Sequence, residues 1–427
     1  KYIKMHVQDV AISIHVILSH VLFGTLLLFT NGLHRLFGWF TSPQQRVVPN
    51  LQSQLQSQLQ SQGNLPNLLP SQYEDDAKDE KLMSEKFKRI RTTFQIANHE
   101  TCVRNLALRG SILGGTSGYV SVGDSRNDLC KLWYIHVRGS SPQSPRVMLM
   151  SGVFRQMWCV ADMVRVCKSR GWEVVSFDKR DIGLSDQSSS RVTTQSLAHD
   201  AWDLAKSLGW NDPRGFHIVG ESLGGMVAQE LALMLPPNVV RSLSLVVTYS
   251  GGSVFWTLPP SVLNLYTFVS KLVRHYSNHR GNAPEFQAQL VHELFGCSDQ
   301  QSELHLSKIR ERLNMFGDEL DQDSPIVKQG FRTQLRQLRA AGTHYLSPRR
   351  LEDLREKPFL KFIYGSGPRD MIVQCRNSPA LATAIDAHLI VYPDAGHNLC
   401  TSAPSFLVDL ANGIEEAVAQ HVHTKPV

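Results

Sequence analysis

Beyond about residue 117 the chain alternates between short β-rich runs and segments of helical period, and that alternation limits the fold more than any other feature. Eight runs read as strands: GYVSV (118–122), KLWYIHV (131–137), RVMLMSG (146–152), WEVVSFD (172–178), FHIVG (216–220), SLSLVVT (242–248), FLKFIYG (359–365) and HLIVYPD (388–394). Several are nearly continuous apolar runs, the pattern of parallel strands covered on both faces. Between them Leu197, Ala201, Leu204, Ala205 and Leu208 recur at helical spacing, and Gly209 closes the segment. The alternation predicts a doubly wound, mostly parallel α/β sheet. One interval breaks the rhythm. Residues 253–357 lack a convincing strand and read as several helices, among them SVLNLYTFVSKLVRHY and FRTQLRQLRAA. Such an insertion between two sheet strands predicts a helical cap, with the core in two parts, 117–252 and 358–427.

Upstream of the core, Val10 to Thr30 runs 21 residues without a charge. As a helix at ~1.5 Å per residue it would span about 31 Å, the thickness of a bilayer hydrocarbon core. Ser13, His15, Ser19, His20 and Thr25 make only a partial polar stripe, which argues against a buried amphipathic helix. A secretory signal core is usually ~7–15 residues, shorter than this run. Residues 1–42 are therefore expected to be a single-pass membrane anchor, with LHRLFGWF (33–40) suited to the membrane–water interface. A cleaved signal peptide and a core helix are the alternatives, and the flanking Lys1, Lys4, Arg35 and Arg46 leave orientation open. Residues 43–116 read as a linker and lead-in: the tandem LQSQLQSQLQSQ (51–62), then Pro66 and Pro70, then the charged run EDDAKDEKLMSEKFKRIR (74–91).

Composition excludes several classes. Hydrophobic residues at 42% and charged residues at 19% exclude a wholly disordered chain. Lys+Arg of 44 against Asp+Glu of 38 leaves +6 without any long basic block, so nucleic acid is not the expected partner. The seven Cys are scattered and form no CxxC pair, which argues for buried thiols over a disulfide framework or a zinc knuckle. No metal-ligand spacing, P-loop or GxGxxG fingerprint occurs, so no metal and no cofactor is implied.

The chemistry concentrates in FHIVG-E-S-L-G-GMVAQELALML, which sets Ser222 between Gly220 and Gly224, after a strand and before a helix. GxSxG arises by chance in roughly one chain of this length in seven, so the motif alone is weak. Its strand–turn–helix context is what a nucleophile elbow requires. A serine hydroxyl needs a base, and the base needs an orienting acid. Asp370 in FIYGSGPRDMIV follows one strand, and His397 in LIVYPDAGHNL follows the next. The order Ser222, Asp370, His397 is that of a Ser-Asp-His triad on such a sheet. Asp394, three residues before His397, is the alternative acid; His344 and His388 are less suitably placed as bases. An oxyanion needs two N–H donors. Leu223, just after the nucleophile, would give one, and Val153, after the strand RVMLM, the other.

With these residues in view, the chain resembles the α/β-hydrolase superfamily across roughly 117–423, and within it the cap-bearing serine esterase/lipase type found in plants, fungi and protists. The resemblance is carried by VVSFDKRDIGLSD (174–186), HIVGESLGGMVAQELA (217–232), THYLSPRRL (343–351), DMIVQCRNSPALA (370–382) and YPDAGHNL (392–399). It implies a Ser-His-Asp hydrolase with Ser222, His397 and Asp370 as the triad and Val153 and Leu223 as oxyanion donors. Four positions depart from the family pattern. Ser151–Gly152 stands for the common His-Gly, Glu221 for a more common His, and Asp181 for a Gly, while the acid loop GSGPRD is about two residues longer. The expected activity is cleavage of carboxylic esters, lipid esters among them, through an acyl-enzyme. Thioester, amide or C–C bond hydrolysis on the same fold, or a non-catalytic binding protein, are the competing readings.

Overall fold

A computed structural model describes residues 113–153, 155–188, 190–252, 307 and 331–423. All eight expected strands are present, with ends shifted by a few residues. They are β1 (Thr116–Val122), β2 (Cys130–Val137), β3 (Arg146–Met150), β4 (Glu173–Phe177), β5 (Phe216–Glu221), β6 (Val240–Val246), β7 (Leu360–Ser366) and β8 (His388–Tyr392). They form one sheet in the order β1-β2-β4-β3-β5-β6-β7-β8. Strand β2 is antiparallel to both β1 and β4. Every pairing from β4 through β3, β5, β6 and β7 to β8 is parallel.

The apolar runs follow from this arrangement. Successive strand side chains point to opposite faces, so a strand covered twice needs apolar residues at every position. In β3, Met148 and Met150 enter one core cluster while Val147 and Leu149 enter the other. The first face is covered by helices α2 (Thr194–Ser207), α3 (Leu223–Met234), α5 (Pro348–Arg355) and α6 (Asn377–Ile385), through residues such as Leu197, Leu204, Leu231, Leu354 and Ile385. The second face is covered by α1 (Ala161–Ser169) and α7 (Phe406–His423), through Met163, Val164, Phe406, Leu410 and Ile414. Helix α2 starts on a reciprocal cap: the Thr193 hydroxyl accepts from Ser196 N–H at 3.0 Å, and the Ser196 hydroxyl accepts from Thr193 N–H at 2.9 Å. Gly209, at φ 70°, lies just past its end.

The FRTQLRQLRAA stretch of the expected cap forms α4 (Phe331–Gly342), and α5 rests on α3 and α6. The anchor segment 1–42, residues 43–112 of the lead-in, and 253–306 and 308–330 of the cap lie outside the described residues. Among those described, no helix is long and apolar enough to cross a membrane.

Candidate active site

The carboxyl ends of the parallel strands bring the sequence-selected residues to one edge of the sheet. Ser222 follows β5 directly and precedes α3, at φ 53°, ψ −116°. That conformation is costly for a residue with a Cβ, and it persists only where the surroundings fix it. They do: Ser222 N–H donates to Val246 O at 2.9 Å, and the Thr248 hydroxyl donates to Ser222 O at 2.8 Å. A serine at a helix start ordinarily turns its hydroxyl back onto the first-turn N–H groups. Ser222 makes no such bond, so its oxygen is not engaged as a cap. The flanking glycines are required by contact. A Cβ at Gly220 would sit 2.3 Å from Gly224 O, and one at Gly224 would sit 2.2 Å from Met150 O.

Asp370 lies beyond β7 and His397 beyond β8. The His397 Nδ1 is 2.9 Å from Asp370 Oδ2. The same oxygen accepts the Ser366 hydroxyl at 2.6 Å, and Oδ1 accepts the N–H groups of Ile372 and Val373, each at 2.8 Å. With four donors converging on it the carboxylate is held in one orientation, and at 1% exposure it is out of bulk water. Ser222 and His397 are buried as well. The longer acid loop turns on itself, with Asp370 N–H donating to Gly367 O at 3.2 Å and Gly367 N–H to Ala395 O at 2.9 Å. The second of these bonds ties the loop bearing the acid to the loop bearing His397. Asp394 is exposed at the tip of that second loop. His344 is buried against the Thr194 hydroxyl at 3.0 Å, with burial pushing its pKa down to about 3. His388 is exposed on β8, the edge strand.

The turn after β3 faces the serine: a Cβ at Gly152 would lie 3.4 Å from Ser222 Cβ. Val153 is half-buried in this turn, and Leu223 opens α3 on the other side of Ser222. Sequence reasoning missed what lies beneath. Lys179, in the loop after β4, donates from Nζ to Ser151 O at 3.0 Å and Ser151 Oγ at 2.8 Å. Burial lowers its pKa to about 8, with the neighbouring Asp178 opposing that shift. Asp178 itself is pushed up to about 6 by burial, although it accepts the N–H groups of Met157 at 2.8 Å and Leu184 at 3.2 Å. The Arg155 guanidinium meets Glu221 Oε1 at 3.3 Å; burial would lower the Arg155 pKa, but Glu221 leaves it raised. Lys179 and Asp178 stand in the DKR run and Ser366 in the GSG run, so both segments were visible while the contacts were not. Asp181 has the positive φ, 69°, that explains why glycine is usual there. Its carboxylate accepts from Ser188 N–H at 2.7 Å and from Arg336 of α4 at 3.2 Å. Among the described residues no group of His, Cys, Asp and Glu is arranged to hold a metal ion.

A strained serine, a carboxylate–imidazole pair and a turn packed close to the serine together can support nucleophilic acyl chemistry. No curated protein matches the chain by sequence. Solved structures match by fold. A carboxylesterase of the ammonia-oxidizing thaumarchaeon Nitrososphaera gargenis shares 15% identity, covering 71% of this chain and 100% of that one, at a TM-score of 0.51. An enol-lactonase from Burkholderia xenovorans shares 16% identity over 70% and 100%, at 0.50. An α/β hydrolase enzyme from a Medee basin deep-sea metagenome library shares 16% over 67% and 94%, at 0.51. Residues 147–410, more than half of the chain, match the Alpha/beta hydrolase family. With that match and the eight-stranded, mostly parallel sheet, the chain belongs to the α/β hydrolase family.

Proposed function

We propose that the protein is a serine hydrolase that cleaves carboxylic esters of small molecules or lipids. The observation that carries this reading is the Asp370–His397 pair at 2.9 Å, set on the same sheet edge as a serine held at φ 53°. Ser222 Oγ attacks the ester carbonyl and passes its proton to His397 Nε2, the nitrogen opposite the one facing Asp370. Asp370 fixes that tautomer and stabilises the imidazolium. The N–H groups of Val153 and Leu223 receive the oxyanion. Collapse expels the alcohol, which takes the proton from His397, and leaves an acyl-Ser222 ester. A water activated by the same imidazole then releases the acid. The carboxylesterase and enol-lactonase among the fold relatives make carboxylic esters and lactones the first classes to assay.

The reading is tested with a fluorophosphonate probe and a short-chain p-nitrophenyl ester. The wild type should be labelled and should turn the ester over. Ser222→Ala should lose labelling, with turnover falling to the residual ~10³–10⁴ over uncatalysed hydrolysis that an oxyanion hole alone supports. Full labelling of the alanine variant would end the reading.

The uncharged run from Val10 to Thr30 favours a second element of the proposal, a membrane-tethered hydrolase with a helical cap inserted between β6 and β7. The full chain should then resist alkaline carbonate extraction from membranes, and a variant lacking residues 1–92 should be soluble and active. Release of the full chain by carbonate would remove the anchor.

A further inference from the structure

The turn that faces Ser222 is braced by buried charges that the triad does not use. Ser151 to Arg155 closes on itself: Arg155 N–H donates to Gly152 O at 3.4 Å, and the Ser151 hydroxyl donates to Arg155 O at 2.7 Å. Lys179 Nζ reaches the carbonyls at both ends of this turn, Ser151 O at 3.0 Å and Arg155 O at 3.4 Å. From its far end the Arg155 guanidinium crosses to Glu221, the residue immediately before Ser222. Lys179 is 1% exposed and Glu221 2%.

Two physical considerations give this arrangement a purpose. A buried ion pair is on average no more stabilising than an apolar pair of the same volume, so stability alone does not account for it. An oxyanion hole, by contrast, draws its two donors from two separate segments, and a displacement of about 1 Å between such groups costs on the order of 10²-fold in rate. The Arg155–Glu221 contact spans those two segments. The peptide unit that bears Val153 N–H also bears Gly152 C=O, whose bond from Arg155 N–H orients the whole unit.

We propose that Arg155, Glu221 and Lys179 are positioning residues for the oxyanion hole: the Arg155–Glu221 pair ties the turn bearing Val153 N–H to the strand end that leads into Leu223 N–H, and Lys179 holds the turn's carbonyls. The proposal rests on Ser222 being the nucleophile. Its consequence is that these side chains govern transition-state binding while leaving ground-state binding of the ester largely alone.

The experiment uses the full chain with p-nitrophenyl butyrate as substrate. A trifluoromethyl ketone, which forms an anionic hemiketal on the serine, serves as the oxyanion probe. Glu221→Gln and Arg155→Lys are measured singly and together. Each single substitution should lower kcat by about 10–100-fold, below the ~10²–10³ attributed to losing a donor outright. KM should stay within about threefold, and the ketone's inhibition constant should rise in proportion to the loss in kcat. The double variant should lose less than the product of the two single losses, because both substitutions act on the Arg155–Glu221 contact. Unchanged kcat in both singles, a kcat loss without weaker ketone binding, or additive losses would overturn the proposal. Should Glu221→Gln fail to fold, Lys179→Met, which leaves the ion pair in place, is read in the same way and is equally decisive. A wild type that neither hydrolyses the ester nor takes the fluorophosphonate label would place the failure in the nucleophile assignment, and this proposal would fall with it.

Discussion

Strand β4 has a carboxylate at each end, and the two are treated oppositely. At the amino end Glu173 is surrounded by donors: His136 at 2.9 Å, Trp210 at 3.2 Å, and Arg146 and Arg214 at 3.3 Å each. Burial alone would raise its pKa, but His136, Trp210 and Arg146 outweigh burial and hold it at about 2. At the carboxyl end Asp178 has backbone N–H groups and a neighbouring lysine, and burial wins, raising it to about 6. Positive φ outside glycine is concentrated on the carboxyl side, Asp386 before β8 being the exception among the described residues. Asp181, Ser222 and Val247 lie beyond the carboxyl ends of β4, β5 and β6, all with positive φ. One end of β4 satisfies its carboxylate with hydrogen-bonding and charged partners. The other tolerates cost where loops must be held for chemistry, the usual location of such strain.

The contrast should be sharpest in turnover. Asp370→Asn, on the carboxyl edge, is expected to lower kcat by up to ~10⁴, because the amide can present a donor where the imidazole needs an acceptor. Glu173→Gln on the opposite edge and Asp394→Asn on the exposed loop tip should each leave kcat within about twofold. Steady-state assays with one short-chain p-nitrophenyl ester, with folding verified by circular dichroism, make the comparison. A larger loss in Asp394→Asn than in Asp370→Asn would transfer the acid's role.

The next largest difference should appear in stability above neutral pH. Lys179 faces Asp178, Glu221, Arg155 and Cys159, and its pKa is lowered from 10.5 to about 8, by burial first. Between those values the unfolded chain keeps a proton that the folded protein has released. Wild-type stability therefore rises with pH through this window, by about 3 kcal/mol relative to Lys179→Met. Urea denaturation of the two proteins from pH 8 to 10.5 measures the divergence, and parallel curves would break the contrast.

The smallest effect has the opposite pH signature. The Glu173 pKa is depressed from 4.5 to about 2, so its contribution is present above 4.5 and is lost as pH falls through that interval. Glu173→Gln should cost no more than about 2 kcal/mol at pH 7, allowing for solvent screening. The gap between wild type and variant should close as pH approaches 2. A gap that persists there would mean that the glutamate acts by packing, without help from its charge.

Most of the fold was legible because parallel strands covered on both faces are mostly apolar, as in Val147 to Met150 of β3, although β5 also carries His217 and Glu221 and β6 carries Ser242 and Ser244. The antiparallel turn-back of β1 and β2 was not, since an apolar run says nothing of its partner's direction. At the site, the order of Ser222, Asp370 and His397 was readable from motif and spacing. The choice between Asp370 and Asp394 depends on how the loop after β7 folds back, as the bonds from Gly367 to Ala395 and from Ser366 to Asp370 show. The bracing of the turn after β3 was invisible for a similar reason. Lys179 meets Ser151 because β3 and β4 run side by side in parallel, and no local pattern encodes that register.

The order of the site's parts along the chain also sets when they can meet. Ser222 precedes the long 253–330 interval, whereas Asp370 and His397 follow it in the loops after β7 and β8, strands that add to the sheet beyond β6. At a ribosomal rate of roughly 5–20 residues per second, Ser222 leaves the ribosome on the order of ten seconds before His397, its proposed base. Through that time the nascent chain lacks the imidazole, and through most of it the β6–β7 pairing, whose β7 end bonds Val247 beside the elbow. On the proposed mechanism, a hydrolase assembled in this order would begin to turn over its substrate only when the sheet has been completed.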